Sequence, residues 1–503
     1  MTIAPLRPFS STIPDNLREF VAVVRQAIAP SVSAEAQPPS ARPLAVVDNA
    51  PQLVSIALPL PGIDPLRALA QVDWQHQPHF FWEQGQSGES LVAIGQVLAV
   101  PLTGGDRFQQ AQGVVEQWLQ SAVVVGATER PFAGPHCICR FTFFDQTLHS
   151  GPFPSASLFI PRWQVAQRYD QGVFVMNLPR SQFAQVEDRC AEAWQIYQSL
   201  RRLDTTLGDR PSSAVKPFPL LWQREMAGLS PAIALPAAVR QQFMRSVAAV
   251  LRDIDAGLLH KAVLANVLDL SLTAPCRLVS TLQRLRQLHP DCHLFSTGNG
   301  NGQIFLGASP ERLLSIRNRD LQTEAIAGSA PRGCTPLEDA RHAQSLLHSP
   351  KELLEHRLVV DYITQQLENL GLSPQRSPLP GLRQLANIQH LQTPICAHLP
   401  QKVHPLEVVA ALHPTPAVAG VPQPAACRLI QQYEPFERSL YAAPLGWIDP
   451  QHNSEFIVGI RSALVSDRQV RLYAGAGIVK GSNPQRELSE IELKLQALRS
   501  MLL

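Results

Sequence analysis

Residues 469–503 read QVRLYAGAGIVKGSNPQRELSEIELKLQALRSMLL, and a change of hydrophobic period inside this stretch decides the fold class. The strand-like run QVRLYAGAGIV gives way through KGSN to a helix, with Asn483 as its N-cap and Pro484 in its first position. At about 100° per residue, Leu488, Ile491, Leu495, Leu498 and Leu502 form one apolar stripe. Glu487, Glu490 and Lys494 fall within about 60° of one another along its edge. Alone, such a ladder reads as a solvated Glu and Lys face. The preceding loop changes the reading. YAGAGIVKGSN brings Gly475 and Gly477 to a strand end just before the helix, where bare backbone amides can approach an anion. Lys480 precedes Gly481, so this is no Walker loop, and Lys480 stands where a dinucleotide fingerprint needs glycine. A small carboxylate is the better guest.

Upstream the same alternation recurs. KAVLANVLDLSL, GQIFLGA, ERLLSI and EFIVGIRSALV carry strand patterns, and a second long helix opens at SPKELLEHRLVVDYI with Ser349 as cap and Pro350 in its first turn. An earlier helix repeats Phe243, Val247, Val250, Leu251 and Ile254 until Gly257 stops it. The N-terminal half has strand runs such as LVAIGQVLAV and CRFTFFD, with a helical segment from Gln109 to Ser121. The expected class is α+β, with large, mainly antiparallel β-sheets flanked by helices. Two strand-rich halves of similar size are compatible with a pseudo-duplicated fold. Three regions are expected: an N-terminal extension at 1–50, an N-terminal half at 51–235 and a chemically dense half at 236–503. The stretch PSVSAEAQPPSARPL at 30–44 reads as a flexible tether after a short amphipathic segment, with ordered structure starting near 50, and a Pro-rich connector spans 213–235.

The second long helix holds Glu355 beside His356. Read plainly, Glu355 pairs with Lys351 four residues earlier. Read functionally, it is a hard-metal ligand, because Mg²⁺ takes one or two protein carboxylates, several waters and an anionic substrate. Glu355 and Glu490, on two helices, could supply that minimal site. Arg461, read as a mid-strand residue in GIRSA, must find an anion if buried.

Composition narrows the function classes. A chain of 503 residues with 45% hydrophobic content suits a globular enzyme, and a net charge of +2 with 17% charged residues and no Lys/Arg block argues against a nucleic-acid partner. No run approaches the roughly 20 apolar residues of a membrane span, and the start lacks the apolar core of a signal peptide. A cytoplasmic location without membrane association is expected. The 8 cysteines include one close pair, Cys137 and Cys139, with no second pair at ligand spacing, so reduced core thiols are expected.

The ordered set KAVLANV (261–267), FLGASPERLLSI (305–316), AIAGSAPRG (325–333), SPKELLEHRLVVDYI (349–363), LHPTPAVAGVP (412–422), YAAPLGWID (441–449), FIVGIRSALV (456–465) and YAGAGIVKGSNPQRELSEIELK (473–494) resembles the chorismate-utilising enzymes. Within that family it is most similar to the isochorismate synthases, as are FFWEQ, FTFFD and FPSASLFIPRW in the N-terminal half. The resemblance implies the chorismate-utilising fold, chorismate as substrate and Mg²⁺ as cofactor. It implies that Lys261 takes a proton from water attacking C2 of the ring, while Glu311 protonates the departing C4 hydroxyl. It places Glu355 and Glu490 on Mg²⁺ with Glu487 beside them, and Lys494 completing that end. Arg461, Tyr473 and the Gly475 amide would meet the pyruvyl carboxylate, Ala417 and Val418 would line the ring pocket, and Ser329 would lie near the substrate. Aminodeoxychorismate-forming relatives carry a lysine where Ala327 stands, and anthranilate-forming ones lack Lys261. Water is therefore the implied nucleophile, with no glutaminase subunit. Many relatives have arginine at the position of Asn266. Salicylate synthases, which go on to eliminate pyruvate, are the alternative, and a non-catalytic chorismate-binding subunit is the alternative of another class. A monomer feeding menaquinone or phylloquinone biosynthesis, rather than a siderophore pathway, is expected.

Overall fold

The computed structural model describes residues 16–28, 52–120, 122–146, 151–203, 235–385 and 388–502. The expected tether at 30–44 and the connector at 213–234 lie outside the described residues. The amphipathic segment before the tether forms a helix, Leu17–Ile28, that docks through fully buried Phe20 and Val24, so ordered structure starts well before residue 50, contrary to the expectation, because this apolar face finds a partner in the fold.

Two large sheets carry the fold, as the hydrophobic patterning predicts. The first runs β18 (Gly420–Val421), β10 (Lys261–Ser271), β22 (Gln469–Val479), β21 (Ser462–Ser466), β12 (Gln303–Ser309), β11 (His293–Asn299), β2 (Pro78–Gln84), β3 (Glu89–Ile94), β8 (Trp163–Arg168), β9 (Gln171–Pro179), β1 (Leu53–Pro61) and β5 (Ala122–Gly126). The second runs β15 (Gln375–Arg376), β17 (Ile388–His398), β14 (Asp320–Pro331), β13 (Arg312–Arg317), β20 (Ser454–Val458), β19 (Pro444–Ile448), β6 (Cys137–Phe141), β7 (Ala156–Ile160) and β4 (Leu98–Leu102), with β16 (Gly381–Gln384) also on β17. Among these pairs β1 with β5 is parallel, while the long β10–β22 ladder that carries the site is antiparallel. The sheets face one another across Trp82 on β2 and Trp447 on β19, whose rings meet edge-on at 6.0 Å. Strands such as β3 and β19 are buried at every position because both faces are covered, which is why they read as continuous apolar runs.

The strand order is duplicated. Outward from the centre of the first sheet, β2-β3-β8-β9-β1 matches β11-β12-β21-β22-β10, and in the second sheet β4-β7-β6 matches β13-β20-β19. The flanking helices repeat as well: Leu17–Ile28 packs on Val186–Leu203 as Ala237–Asp255 packs on Pro484–Leu502. The halves differ in what interrupts them. The first inserts the helix Arg107–Gln120 and β5; the second inserts β14 to β18 with the helices Pro336–His348, Pro350–Asn369, Pro405–Leu412 and Gln423–Tyr433.

EFIVGIRSALV is not one strand: β20 and β21 belong to different sheets, and the chain crosses between them at Gly459–Ile460–Arg461, with Arg461 in a bend at φ 47°. Gly475 and Gly477 are not in a loop, because β22 runs unbroken to Val479 and pairs them with Ala265 and Val263 of β10. Asn483 caps the last helix as predicted, accepting from the amides of Gln485 and Arg486 at 3.0 and 3.2 Å. The described cysteines are free thiols, with Cys137 and Cys139 buried on β6. Among the described residues no helix is long and apolar enough to cross a membrane.

Candidate active site

The first residue of β10, Lys261, is only 1% exposed, and its Nζ meets Glu355 Oε1 at 2.9 Å. The plain pairing of Glu355 with Lys351 is therefore not the one made. Gly477 explains how the two side chains fit. A Cβ there would lie 2.6 Å from Glu355 Oε1 and 3.4 Å from Lys261 Cε, so glycine supplies clearance and not a turn. Likewise a Cβ on Gly475 would lie 2.9 Å from Tyr441 Oη. Tyr441 stacks on Tyr473 at 5.0 Å and 12°, and burial pushes both phenols well above their ordinary range.

Glu311 sits where the chain passes from β12 to β13, just after Pro310 ends the β12 ladder. Its carbonyl accepts from the Val458 amide at 3.1 Å, which hooks this crossing to the one that carries Arg461. The side chain is 7% exposed, and its pKa is raised to about 7, chiefly by burial and then by the neighbouring Glu324, against the opposing fields of Lys261 and the Thr415 hydroxyl. A buried lysine and a protonatable carboxyl thus feel each other inside one site, a pair that can take one proton and give another when the lysine is in its neutral amine form.

Arg461 is half-buried, and desolvation of its guanidinium lowers its pKa. Among the described residues no carboxylate lies within ion-pair distance of it. Its Nη2 meets His390 Nε2 at 3.3 Å, and His390 Nδ1 lies 2.9 Å from Ser329 Oγ and 3.3 Å from Gly328 O. Burial, with Arg461 and Lys494 nearby, drives the His390 pKa to about 3, so the ring is neutral. Nε2 must accept from Arg461, and Nδ1–H then donates to Ser329 or Gly328. A half-buried guanidinium oriented this way, without a carboxylate, is free to receive an anion.

Four carboxylates gather between two helices. Glu352 and Glu355 come from Pro350–Asn369, and Glu487 and Glu490 from Pro484–Leu502. Glu352 is raised by burial and by its neighbours Glu355 and Glu490, and Glu487 is raised by burial first, with Glu490 and Glu355 adding. Lys494 holds Glu490 at 2.7 Å and donates to Gly475 O at 2.9 Å; Lys351 stands 3.7 Å from Glu352 and 3.6 Å from Glu487. Counting Lys261 on Glu355, three lysines face four carboxylates, so the cluster retains negative charge. Hard oxygen donors with charge to spare suit a divalent cation such as Mg²⁺. Among the described residues no three such side chains close into a metal cage, so an ion here would take one or two protein carboxylates and complete its shell elsewhere. Of the remaining residues, Ser329 follows a bulge at Gly328 and its amide donates to Glu352 at 3.1 Å. The Val418 carbonyl accepts from Arg438 at 2.8 Å, and Ala417 before it is half-buried against the core. Asn266, 7% exposed, accepts the Val267 amide on its own side chain.

A family model described as chorismate binding enzyme matches residues 41–503. The chain belongs to that family. Among curated relatives, the salicylate biosynthesis isochorismate synthase of Pseudomonas aeruginosa is 35% identical over 456 residues, 90% of each chain. The isochorismate synthase MenF of Bacillus subtilis is 29% identical over 461 residues, 90% of this chain and 93% of that one. The solved structure of the menaquinone-specific isochorismate synthase MenF from Escherichia coli matches with a TM-score of 0.70 at 26% identity, covering 90% of this chain and 95% of that one. Anthranilate synthase component I from Streptococcus pneumoniae shares the fold at TM-score 0.64 and 20% identity, over 92% of this chain and 100% of that one.

For a chorismate binding enzyme, the sequence reading passed over Glu352, His390, Thr415 and Glu324. Glu352 had a visible signal. ELLE at 352–355 and ELSE at 487–490 are the same Glu-x-x-Glu step, which puts both carboxylates of each helix on one face. His390 had none, because its role depends on β17 meeting the Arg461 crossing in space.

Proposed function

We propose that this chain converts chorismate to isochorismate, with water as nucleophile. The observation that carries the reading is the buried Lys261 in the same site as Glu311, whose pKa of about 7 lets it hold a proton at neutral pH. The relatives named as isochorismate synthases over nine-tenths of the chain support it. Lys261, in its neutral amine form, accepts the proton of a water directed at C2 of the ring and becomes an ammonium beside Glu355. Glu311 gives its proton to the C4 hydroxyl as that group leaves, and the double bonds shift between the two centres. Arg461, steadied by His390, pairs with the pyruvyl carboxylate, with Tyr473 and Gly475 beside it. Thr415, Ala417 and Val418 border the ring, and Ser329 lies near its carboxylate end. Glu355 and Glu490 would hold Mg²⁺, with Glu487 and Glu352 alongside; when bound, the ion supplies positive charge opposite the ring carboxylate. Ala327 leaves no lysine at the position that aminodeoxychorismate-forming enzymes use, which fits a chain acting without a glutaminase subunit.

We assign the product to quinone biosynthesis, menaquinone or phylloquinone, with the protein monomeric in the cytoplasm. The Pseudomonas aeruginosa relative, named for salicylate biosynthesis, favours a second reading in which the product goes on to salicylate. Incubating the purified protein with chorismate and Mg²⁺ separates the cases. Isochorismate alone supports the proposal, salicylate with pyruvate transfers it to a salicylate synthase, and binding without conversion leaves a chorismate-binding subunit.

A further inference from the structure

Lys351 occupies an electrostatically awkward place. It is the second residue of the helix Pro350–Asn369, where the unpaired amides of the first turn already present positive charge. A lysine there gains nothing from its own helix. Its ammonium instead reaches between helices, 3.7 Å from Glu352 Oε1 and 3.6 Å from Glu487 Oε1. Glu487 is only 5% exposed at its side chain, so it needs a compensating cation.

The three lysines of the cluster are held differently. Lys261 is 1% exposed and 2.9 Å from Glu355. Lys494 makes two short bonds, to Glu490 at 2.7 Å and to Gly475 O at 2.9 Å. Lys351, 32% exposed, makes neither of its contacts within hydrogen-bond range. It is a tether by charge alone, held loosely between the two helices that bring the four carboxylates together.

We propose that Lys351 is a built-in counter-cation that competes with the divalent metal for the Glu352 and Glu487 side of the cluster, and so sets how much free metal the site requires. This rests on the Mg²⁺ reading given above. A divalent ion on the carboxylates meets the ammonium as a like charge across a few ångströms, so each weakens the hold of the other. The lysine also keeps the two helices joined when metal is scarce.

The test is calorimetric titration of the full chain with MgCl₂ alone, for wild type, Lys351→Met and Lys351→Arg. Removing the charge is expected to tighten Mg²⁺ binding on the order of tenfold, and Lys351→Arg is expected to stay near wild type. Raising NaCl should narrow the gap between Met and wild type, because the competing charge is partly exposed. In thermal melts Lys351→Met should unfold earlier without Mg²⁺ and gain more on its addition. If Lys351→Met does not fold, Lys351→Gln takes its place in the same titration. Unchanged or weaker Mg²⁺ affinity in the neutral variant, with wild type binding normally, overturns the inference alone. No Mg²⁺ binding by wild type overturns the metal reading and this inference with it.

Discussion

At the residue scale the proposed reaction turns on two proton-transfer groups in different environments. Lys261→Ala and Glu311→Gln should each lower turnover by at least about 10², while chorismate affinity, measured by calorimetry, stays within a few-fold. Near-wild-type rates in either variant would remove the assigned roles. The Glu311 pKa of about 7 also fixes a pH dependence: the acid is lost as pH rises through that value, so kcat/KM should fall on the alkaline side of about 7. Because Glu324 raises that pKa by like charge, Glu324→Gln should move the alkaline limb to lower pH without abolishing activity. Stability follows the same sign. A group raised from 4.5 to about 7 by folding contributes fully below 4.5, and its contribution is lost as pH rises through 7. Glu311→Gln should remove that pH-dependent component from thermal melts. The residue types of this pair were legible in the sequence, but their burial was not. A lysine at a strand start and a glutamate beside an arginine look exposed, but Glu355 of the helix Pro350–Asn369 and Gly477 of β22 close over Lys261, Glu311 lies buried near Glu324 and Thr415, and Arg312 turns to Glu455 at 3.3 Å.

At the scale of elements, glycines separate fold from function. Gly477→Ala places a methyl against the end of the Glu355 side chain, which can swing aside, so the melting temperature should move by only a few degrees while activity falls sharply. Gly446→Ala is the contrast: its Cβ would lie 2.0 Å from the Glu455 carbonyl, a backbone atom that cannot yield. That variant should lose the fold, read as loss of a cooperative melt. The apolar stripe of the last helix was legible, and Leu488, Ile491 and Leu495 are fully buried. The crossings were not. FIVGIRSALV has the composition of one strand, and nothing in its period says that the chain changes sheets at Arg461. In space, that change puts the guanidinium at the seam between the sheets instead of inside a ladder.

At the scale of the molecule, the two halves share one architecture, and the candidate site forms in the second, where framework residues such as Lys261, Glu311 and Arg461 meet the larger insertion that brings Glu355 and His390. The halves are also clamped together: Arg286 of the second binds Asp64 and Glu83 of the first. Arg286→Met should cost on the order of 3 kcal/mol in urea unfolding, because two partly buried carboxylates are left facing each other. The similar size of the halves hinted at the duplication, but the matching order of β2-β3-β8-β9-β1 and β11-β12-β21-β22-β10 emerges only from the pairing. In the proposed reaction, water adds at C2 as the C4 hydroxyl departs. That addition is tested most directly by turning over chorismate with Mg²⁺ in ¹⁸O-labelled water and locating the label in the product by mass spectrometry. Isochorismate with one ¹⁸O, on its C2 hydroxyl, is the expected product. Isochorismate carrying its original, unlabelled oxygen would contradict that addition.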